Sequence, residues 1–187
     1  MNYESATRAP LIIRAPAYPQ SFGKAVAALT EHIDIFPTLL ELAGLSGTSP
    51  AAAGLQGHSL VPLLADPAAA ALAARPYAYS QYPRHATACP GNECADAHAM
   101  GYTVRTPEWR FTQWVAWDNR TFTPNFDPAT SRWFEQELYA HAGDVDGRNW
   151  TGFERHNLAA DPAYADVVRN LTAALHAGPN LVRPARA

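Results

Sequence analysis

Met100-Gly-Tyr-Thr-Val-Arg-Thr-Pro-Glu-Trp-Arg-Phe-Thr-Gln-Trp-Val-Ala-Trp117 is the stretch that decides the fold. It predicts two β-strands, Gly101–Thr106 and Trp109–Trp117, joined at Pro107 and Glu108. Side chains on a strand alternate between its two faces, so this hairpin has one apolar face and one face with arginines beside aromatic rings. The apolar face takes Tyr102, Val104, Thr106, Trp109, Phe111, Val115 and Trp117. The opposite face takes Arg105, Arg110, Thr112 and Trp114.

The face that carries the arginines has two interpretations. In the first, which we favour, it is a half-solvated sheet surface whose arginine stems cover apolar groups. In the second, it binds an anionic ligand or a sugar ring through charge-assisted hydrogen bonds and stacking. The second interpretation would make the hairpin a binding surface in its own right.

Composition indicates a folded protein of one domain or slightly more. The chain has 187 residues, of which 48% are hydrophobic and 11% aromatic. Its net charge of −3 and its lack of a Lys/Arg run give no electrostatic surface for nucleic acid or for a membrane. No apolar run approaches the roughly 20 residues of a membrane-spanning helix. We therefore expect neither nucleic acid nor a membrane as a partner.

Asn-X-Ser/Thr sequons at Asn119, Asn149 and Asn170 predict N-glycosylation. Glycosylation predicts the secretory pathway, with a lysosomal or extracellular place if the full-length protein carries a signal peptide. Residues 1–14 have neither the apolar core nor the cleavage pattern of such a peptide. We therefore expect the chain to be a fragment that lacks an N-terminal part.

The first segment, residues 1 to about 75, has α/β character. Leu11–Ile13 belongs to a short continuous apolar run, which is typical of a strand covered on both faces. A helix is predicted from Asp34, a plausible N-cap, to Gly44, with Pro37 tolerated in its first turn. A compact apolar turn and a short helix follow over residues 57–64.

The second segment, residues 76–187, has α+β character. A strand is predicted over residues 77–82, before the hairpin, and a fourth strand over Glu137–Ala140. A helix begins after Asp161, with Pro162 at its first position, and ends before Gly178. The predicted architecture is a four-stranded antiparallel sheet with one helix packed on its apolar face.

The two cysteines lie in a symmetrical His-X3-Cys-X4-Cys-X3-His array formed by His85, Cys89, Cys94 and His98. Two thiolates and two imidazoles can form a tetrahedral Zn²⁺ site. The spacing differs from that of common zinc fingers, however, and Pro-Gly between the cysteines favours a tight turn closed by a disulfide. We predict a disulfide between Cys89 and Cys94, with zinc or free thiols as the alternatives.

Six stretches of the chain share a family pattern. They are residues 2–13 (Asn-Tyr-Glu-Ser-Ala-Thr-Arg-Ala-Pro-Leu-Ile-Ile), 34–39 (Asp-Ile-Phe-Pro-Thr-Leu), 55–60 (Leu-Gln-Gly-His-Ser-Leu), 79–84 (Tyr-Ser-Gln-Tyr-Pro-Arg), 100–106 (Met-Gly-Tyr-Thr-Val-Arg-Thr), and Glu137-Leu-Tyr with Asn157-Leu158. Together they resemble the C-terminal portion of a sulfatase of the alkaline-phosphatase-like superfamily. The fourth and fifth stretches are most similar to the iduronate-2-sulfatase group.

The resemblance implies that residues 1–75 are the C-terminal end of a sulfatase catalytic α/β domain and that residues 76–187 are its antiparallel-sheet subdomain. It also implies a Ca²⁺-dependent hydrolase of sulfate esters, here of sulfated saccharides, whose nucleophile is a formylglycine made from a Cys-X-Pro/Ala-Ser-Arg motif. Neither Cys89 nor Cys94 begins that motif. We therefore expect the nucleophile and calcium ligands to lie in a missing N-terminal catalytic part, and this chain alone to be inactive and to bind no cofactor.

Arg84 is the strongest candidate for a substrate-binding residue, because a guanidinium on the Ser-Gln-Tyr-Pro-Arg loop can pair with a carboxylate. Tyr82 and Arg105 are weaker candidates of the same kind. The alternative, which we favour for Arg84, is an internal salt bridge that anchors the loop. Two functions stay open: part of a sulfatase, or a free-standing non-catalytic binding module that uses the arginine and aromatic face of the hairpin.

Overall fold

The computed structural model describes residues 2–45, 54–69, 75–84, 98–144 and 150–178. Its helices are α1 (Glu4–Thr7), α2 (Ile35–Leu42), α3 (Val61–Ala65), α4 (Trp150–Phe153) and α5 (Ala165–Ala177). Its strands are β1 (Ala78–Arg84), β2 (Ala99–Arg105), β3 (Trp109–Asp118), β4 (Thr123–Asn125) and β5 (Glu135–Ala140). Short 3₁₀ turns precede α2 and α5.

The chain forms two compact units. Unit 1 comprises residues 1–8 and 79–187, and unit 2 comprises residues 9–78. The sequence predicted a boundary after residue 75 and assigned residues 1–8 to the first segment. The assignment of the first segment to a catalytic α/β domain stays a prediction.

One antiparallel sheet forms the centre of unit 1. β2 pairs with β3 from Ala99 opposite Ala116 to Arg105 opposite Arg110. On its other edge, β3 pairs with β5 and then, nearer its end, with β4. β1 completes the sheet beside β2. The predicted antiparallel sheet is confirmed, with one strand more than the four expected, because β4 was not predicted.

Helix α5 covers the apolar face of this sheet. Val104, Phe111 and Leu138 are completely buried there, and the register places Phe111 between the other two on neighbouring strands. The helix contributes the buried side chains of Leu171 and Leu175. These apolar contacts form the core of unit 1.

The ends of α5 follow the sequence signals. Asp161 Oδ1 accepts a hydrogen bond from the backbone N–H of Ala163 at 2.9 Å. Pro162 opens the 3₁₀ turn that leads into the helix, where its missing N–H removes no intrahelical bond. The helix ends before Gly178, and a Cβ at that position would lie 2.7 Å from the ring of Tyr79.

The opposite face of the sheet is also buried, which corrects the expectation of a half-solvated surface. Thr103, Thr112 and Arg110 expose at most 2% of their surface. Asn2 covers them: its Nδ2 donates to the carbonyl of Gly101 at 2.9 Å, and its own carbonyl accepts from Arg110 Nη1 at 2.9 Å. Asn2 lies about a hundred residues upstream of the hairpin. The alternation of side chains within the hairpin therefore could not predict that this face is covered.

In unit 2, helix α2 ends just before Gly44, the residue that the sequence predicted to stop it. Gly44 has φ +72°, a left-handed conformation that glycine adopts without strain. Its N–H donates to the carbonyl of Glu41, and the N–H of Leu45 donates to the carbonyl of Leu40. These two bonds form a Schellman motif, which satisfies carbonyls at the end of the helix.

Asp34 precedes α2, but its side chain does not cap that helix, which corrects its predicted role. Its carboxylate accepts instead from the backbone N–H groups of Glu31 and His58, both at 2.8 Å. It also pairs with the guanidinium of Arg75, which lies 2.5 Å from the carboxylate of Glu31. This ion cluster ties together three separate parts of unit 2.

The predicted strand at Leu11–Ile13 is wrong. Ile12 is 90% exposed and Leu11 is 41% exposed. The backbone of residues 9–14 forms no hydrogen bond to any residue that the structure describes. A strand is stabilised by its ladder to a neighbouring strand, and the described part of the chain does not supply that neighbour.

Several sequence predictions lie outside the described residues. Cys89, Cys94, His85 and Asn149 are among them, so the disulfide and its zinc alternative stay predictions. Across the ranges that are described, no helix has both the length and the apolar character needed to cross a membrane.

Candidate functional site

An ion cluster that is buried except for Arg8 joins α1 to the hairpin of unit 1. It consists of Glu4, Arg8, Arg105, Arg110, His141, Asp144 and Glu154. The carboxylate of Glu4 accepts from Arg105 Nε at 3.2 Å and also pairs with Arg110 Nη2. Burial alone would raise the pKa of Glu4, but Arg110 and Arg105 outweigh it and hold that pKa below its usual value.

His141 connects the other two carboxylates of the cluster. Its Nδ1 lies 3.2 Å from Asp144 Oδ2, and its Nε2 lies 3.3 Å from Glu154 Oε1. The ring of Phe153 stacks on the imidazole, with 5.6 Å between the centroids. Glu154 Oε2 accepts the backbone N–H of Glu4 at 2.8 Å, so the cluster closes on itself.

The cluster does not fit the calcium ion that sulfatases imply. Glu4, His141 and Asp144 each place one ligand atom within 4.8 Å of the others, a spacing that a metal ion can bridge. Ca²⁺ takes six to eight oxygen ligands, whereas this set includes an imidazole nitrogen. Three guanidinium groups also balance the three carboxylates of the cluster. We conclude that it is an ion-pair network that holds α1 against the sheet.

A second polar site lies at Trp114, on the arginine face of the hairpin. The guanidinium carbon of Arg84 lies 3.9 Å from the centroid of the indole ring. The indole N–H donates to Glu137 Oε1 at 3.0 Å. Arg84 also pairs with the exposed carboxylate of Glu135 at 3.3 Å. Burial raises the pKa of Glu137 above its usual value.

These groups line a small pocket in unit 1 with a volume of about 160 Å³. The lining residues are Asn2, Tyr3, Tyr82, Arg84, Trp114 and Glu137. Gly101 lies opposite Trp114 in the hairpin. A Cβ on Gly101 would lie 2.7 Å from the indole ring, so the floor of the pocket requires glycine at that position.

The structure separates the three predicted substrate-binding residues. Arg84 and Tyr82 lie on the pocket, and both are about 45% exposed. Arg105 lies in the buried ion cluster, where Glu4 and Asp144 surround its guanidinium. The structure therefore brings only Arg84 and Tyr82 together, and whether either contacts a substrate stays a prediction.

The sequence indicated the arginines of this face but not their partners. Glu4 and Glu154 gave no local signal, because they lie 106 and 44 residues from Arg110 in the chain. Glu137 was missed for the same reason. The one available signal was that the two neighbouring arginines of this face, Arg105 and Arg110, need anions if the face is covered.

Two sequons fall on described residues. Asn119 is half-buried in the turn after β3, and Asn170 is exposed on α5. Glycosylation itself stays a prediction.

Comparison with known proteins gives the class to which this chain belongs. The family model described as N-sulphoglucosamine sulphohydrolase, C-terminal, matches residues 1–123. The chain belongs to this family and is a sulfatase C-terminal domain. The resemblance stated from the sequence motifs is confirmed.

Individual relatives show which sulfatases the chain is similar to. The chain is 27% identical to iduronate 2-sulfatase of Mus musculus over 210 residues, which cover 91% of this chain and 36% of that protein. It is 31% identical to arylsulfatase K of Danio rerio over 109 residues, which cover 58% of this chain and 18% of that protein. The chain thus spans only about a fifth to a third of these relatives.

A solved structure from work on the metabolism of multiple glycosaminoglycans by Bacteroides thetaiotaomicron gives a looser likeness. It matches 74% of this chain and 24% of its own, with 20% identity and a TM-score of 0.43. That score does not establish a shared fold.

Proposed function

We propose that this chain is the C-terminal part of a sulfuric ester hydrolase that acts on sulfated saccharides together with an N-terminal catalytic part. The observation that carries the proposal is the alignment of 91% of the chain with 36% of iduronate 2-sulfatase. Iduronate is a sugar acid, so the name of that relative denotes a sulfated saccharide as its substrate.

We further propose that the chain alone does not hydrolyse sulfate esters. Its sequence contains no Cys-X-Pro/Ala-Ser-Arg motif. Within the described residues, the cluster of carboxylates and histidine that approaches a metal-binding spacing is neutralised by arginines. The proposal therefore places the nucleophile and the calcium ligands in the catalytic part.

Unit 2 supplies the surface for that association. Phe36 and Leu39 of α2 are 46% and 58% exposed, and Ile33 just before the helix is 46% exposed. Ile12 is 90% exposed. Several large apolar side chains this exposed in one unit are typical of a surface that another protein part covers. The occupant that we propose is the catalytic part of the same enzyme.

The three predicted binding residues take two roles in this proposal. Arg84 and Tyr82 contact the saccharide, because both lie on the open pocket. Arg105 acts indirectly, because its pairs with Glu4 and Asp144 hold α1 in place beside that pocket. We also propose N-glycosylation at the sequons, a disulfide between Cys89 and Cys94, and a lysosomal or extracellular place for the whole protein.

An aryl sulfate assay tests this proposed function. The chain alone is compared with a single polypeptide that joins it to the sequence encoded in frame upstream, each with and without Ca²⁺. We expect hydrolysis only by the joined polypeptide, and only with Ca²⁺. Turnover by the chain alone would contradict the proposal, and so would a folded joined polypeptide that hydrolyses no sulfate ester.

The second candidate is a free-standing binding module. The pocket favours it, because the pocket offers a concave surface in unit 1 that is lined by aromatic and charged side chains. A module that binds its ligand through the arginine face of the hairpin is disfavoured, because Arg105 and Arg110 of that face are buried in the ion cluster. A ligand that binds the isolated chain, combined with no activity in any joined polypeptide, would favour this candidate.

A further inference from the structure

We propose that the pocket beside Trp114 binds one uncharged pyranose ring, and not the sulfate or the carboxylate of a saccharide. This inference rests on the proposed function for the source of the sugar and deepens it by naming the part of the saccharide that this chain reads. The pocket is lined by side chains from β1, β3, β5 and the segment before α1.

The size of the pocket suits a single sugar ring. Its volume is about 160 Å³. Pockets for drug-sized ligands measure about 300–1,000 Å³. A hexopyranose matches the smaller volume, whereas a disaccharide would extend beyond it into solvent.

Aromatic rings provide the apolar part of the site. Tyr82 is 45% exposed, so one side of its ring is open to a ligand. Tyr3 lies on the same pocket, and Trp114, which is 5% exposed, forms its floor. The C–H groups on one side of a pyranose ring pack well against such surfaces, because aromatic side chains offer large rigid apolar area.

The polar groups that remain match hydroxyl groups. Glu137 uses one carboxylate oxygen to accept the indole N–H of Trp114, and a carboxylate has about four acceptor sites in all. Arg84 directs Nη1 to Glu135, and a guanidinium has five donors. A sugar hydroxyl both donates and accepts, so neighbouring hydroxyls can bind Glu137 and Arg84 at once.

Charge balance disfavours an anionic group in this pocket. Its single cation, Arg84, is already paired with Glu135 and stacked on Trp114. Glu137 adds a second carboxylate, so the three side chains carry a net charge of −1 when all are ionised. A uronate or a sulfate would meet this net negative charge, and like charges at close range repel. A neutral ring avoids that repulsion.

The test follows the indole N–H of Trp114 by NMR in the ¹⁵N-labelled full chain at pH 7. The chain is titrated separately with N-acetylglucosamine, glucuronate and inorganic sulfate, to about 50 mM, since one small ring is expected to bind in the millimolar range. We expect the neutral sugar to shift the Trp114 signal and to bind at least threefold more tightly than glucuronate, and sulfate to leave it unchanged.

Variants separate binding from folding. Tyr82→Ala should weaken the neutral sugar at least tenfold while the dispersion of the other signals stays the same, because Tyr82 is half exposed. Phe122→Ala is the matched control, since Phe122 is 73% exposed but does not line the pocket. It should leave the affinity unchanged. Equal losses in both variants, a preference for glucuronate or sulfate, or no shift with any sugar would each overturn the proposal.

The outcomes also distinguish this inference from the proposed function. Absence of sugar binding by the chain, with sulfate hydrolysis by the joined polypeptide, would remove the pocket assignment and leave the sulfatase assignment in place. Sugar binding by the chain, without sulfate hydrolysis by the joined polypeptide, would remove the sulfatase assignment and leave the pocket assignment in place.

Discussion

The two units of this chain differ in how completely they bury their apolar residues. Nine of the twelve exposed large hydrophobic residues in the described part of the chain lie in unit 2. Unit 1 holds most of the buried apolar residues, including Val104, Phe111, Leu138 and Leu175, which are completely buried. Unit 1 therefore has a core of its own, whereas unit 2 presents apolar surface that suits a further protein part.

Each unit also has its own ion cluster, and the two clusters differ. In unit 1, Glu4 and Arg110 are almost completely buried, and the cluster around them holds α1 to the sheet. In unit 2, Arg75 joins Glu31 and Asp34 and ties loops to a short helix. Only the first cluster lies against a sheet.

The largest effect should come from breaking the ion cluster of unit 1. Glu4→Gln keeps the side-chain volume but leaves buried Arg105 and Arg110 without their main anion. Removal of one partner from a buried ion pair costs about 3–5 kcal/mol. All five tryptophans of the sequence lie in unit 1, so urea unfolding followed by tryptophan fluorescence measures this loss.

Asp166→Asn is the control for that change. Asp166 is 80% exposed and pairs with Arg169, which is 70% exposed. A surface pair of this kind contributes about 0–1 kcal/mol, so the control should hardly move the transition. A Glu4→Gln transition that matches the control would show that the cluster does not stabilise unit 1.

A smaller effect, confined to unit 2, should follow from Arg75→Met. The methionine keeps an apolar stem but removes the charge that pairs with buried Asp34. We expect a loss of about 2 kcal/mol, less than for Glu4, because the carboxylate of Asp34 keeps its hydrogen bonds from the backbone N–H groups of Glu31 and His58. Unit 2 has no tryptophan, so the change should appear in far-ultraviolet circular dichroism and leave tryptophan fluorescence unchanged. A shift of both signals together would show that the units unfold as one.

Acid should remove part of the contribution that Glu4 makes to the stability of the folded chain. The pKa of Glu4 is lowered in the folded chain, so the unfolded state binds the proton more readily. The stability from this group is therefore fully present above the usual pKa of 4.5 and is lost as pH falls through the lowered value. Glu4→Gln should abolish this component. An unchanged slope of stability against pH in the variant, over the acid range, would contradict the assignment.

The smallest effect on stability should come from Leu39→Gln, on the exposed face of α2. Leu39 is 58% exposed, so we expect a change within about 0.5 kcal/mol. The same substitution at Leu171, which is 6% exposed on α5, should cost about 3 kcal/mol. In the joined polypeptide, Leu39→Gln should lower the yield of active enzyme. Full activity would show that α2 does not face the catalytic part.

The predictions from sequence succeeded where the signal was local. Alternation defined the hairpin and its two faces, Gly44 marked the end of α2, and Asp161 with Pro162 marked the start of α5. The motif resemblance gave the family correctly, because its stretches are short and contiguous.

Predictions failed where a distant residue decides the outcome. The arginine face was expected to be half solvated, but Asn2 and Glu4 cover it from far upstream. Aspartate is a common N-cap residue, but the carboxylate of Asp34 pairs with Arg75, which lies 41 residues away in the chain. β4 was missed because it has three residues and includes Pro124, which strands tolerate poorly. Leu11–Ile13 has a strand pattern, but the described residues provide no strand beside it.

Hydrogen–deuterium exchange, read by mass spectrometry, tests the contrast between the two units most directly. We expect slow exchange in β2 and β3 of the chain alone, fast exchange over residues 9–14 and α2, and strong added protection of those two regions once the chain is joined to its catalytic part. Protection of residues 9–14 and α2 in the isolated chain equal to that of β2 and β3 would contradict the proposed contrast between the two units, and so would a joined, active enzyme in which those regions still exchange fast.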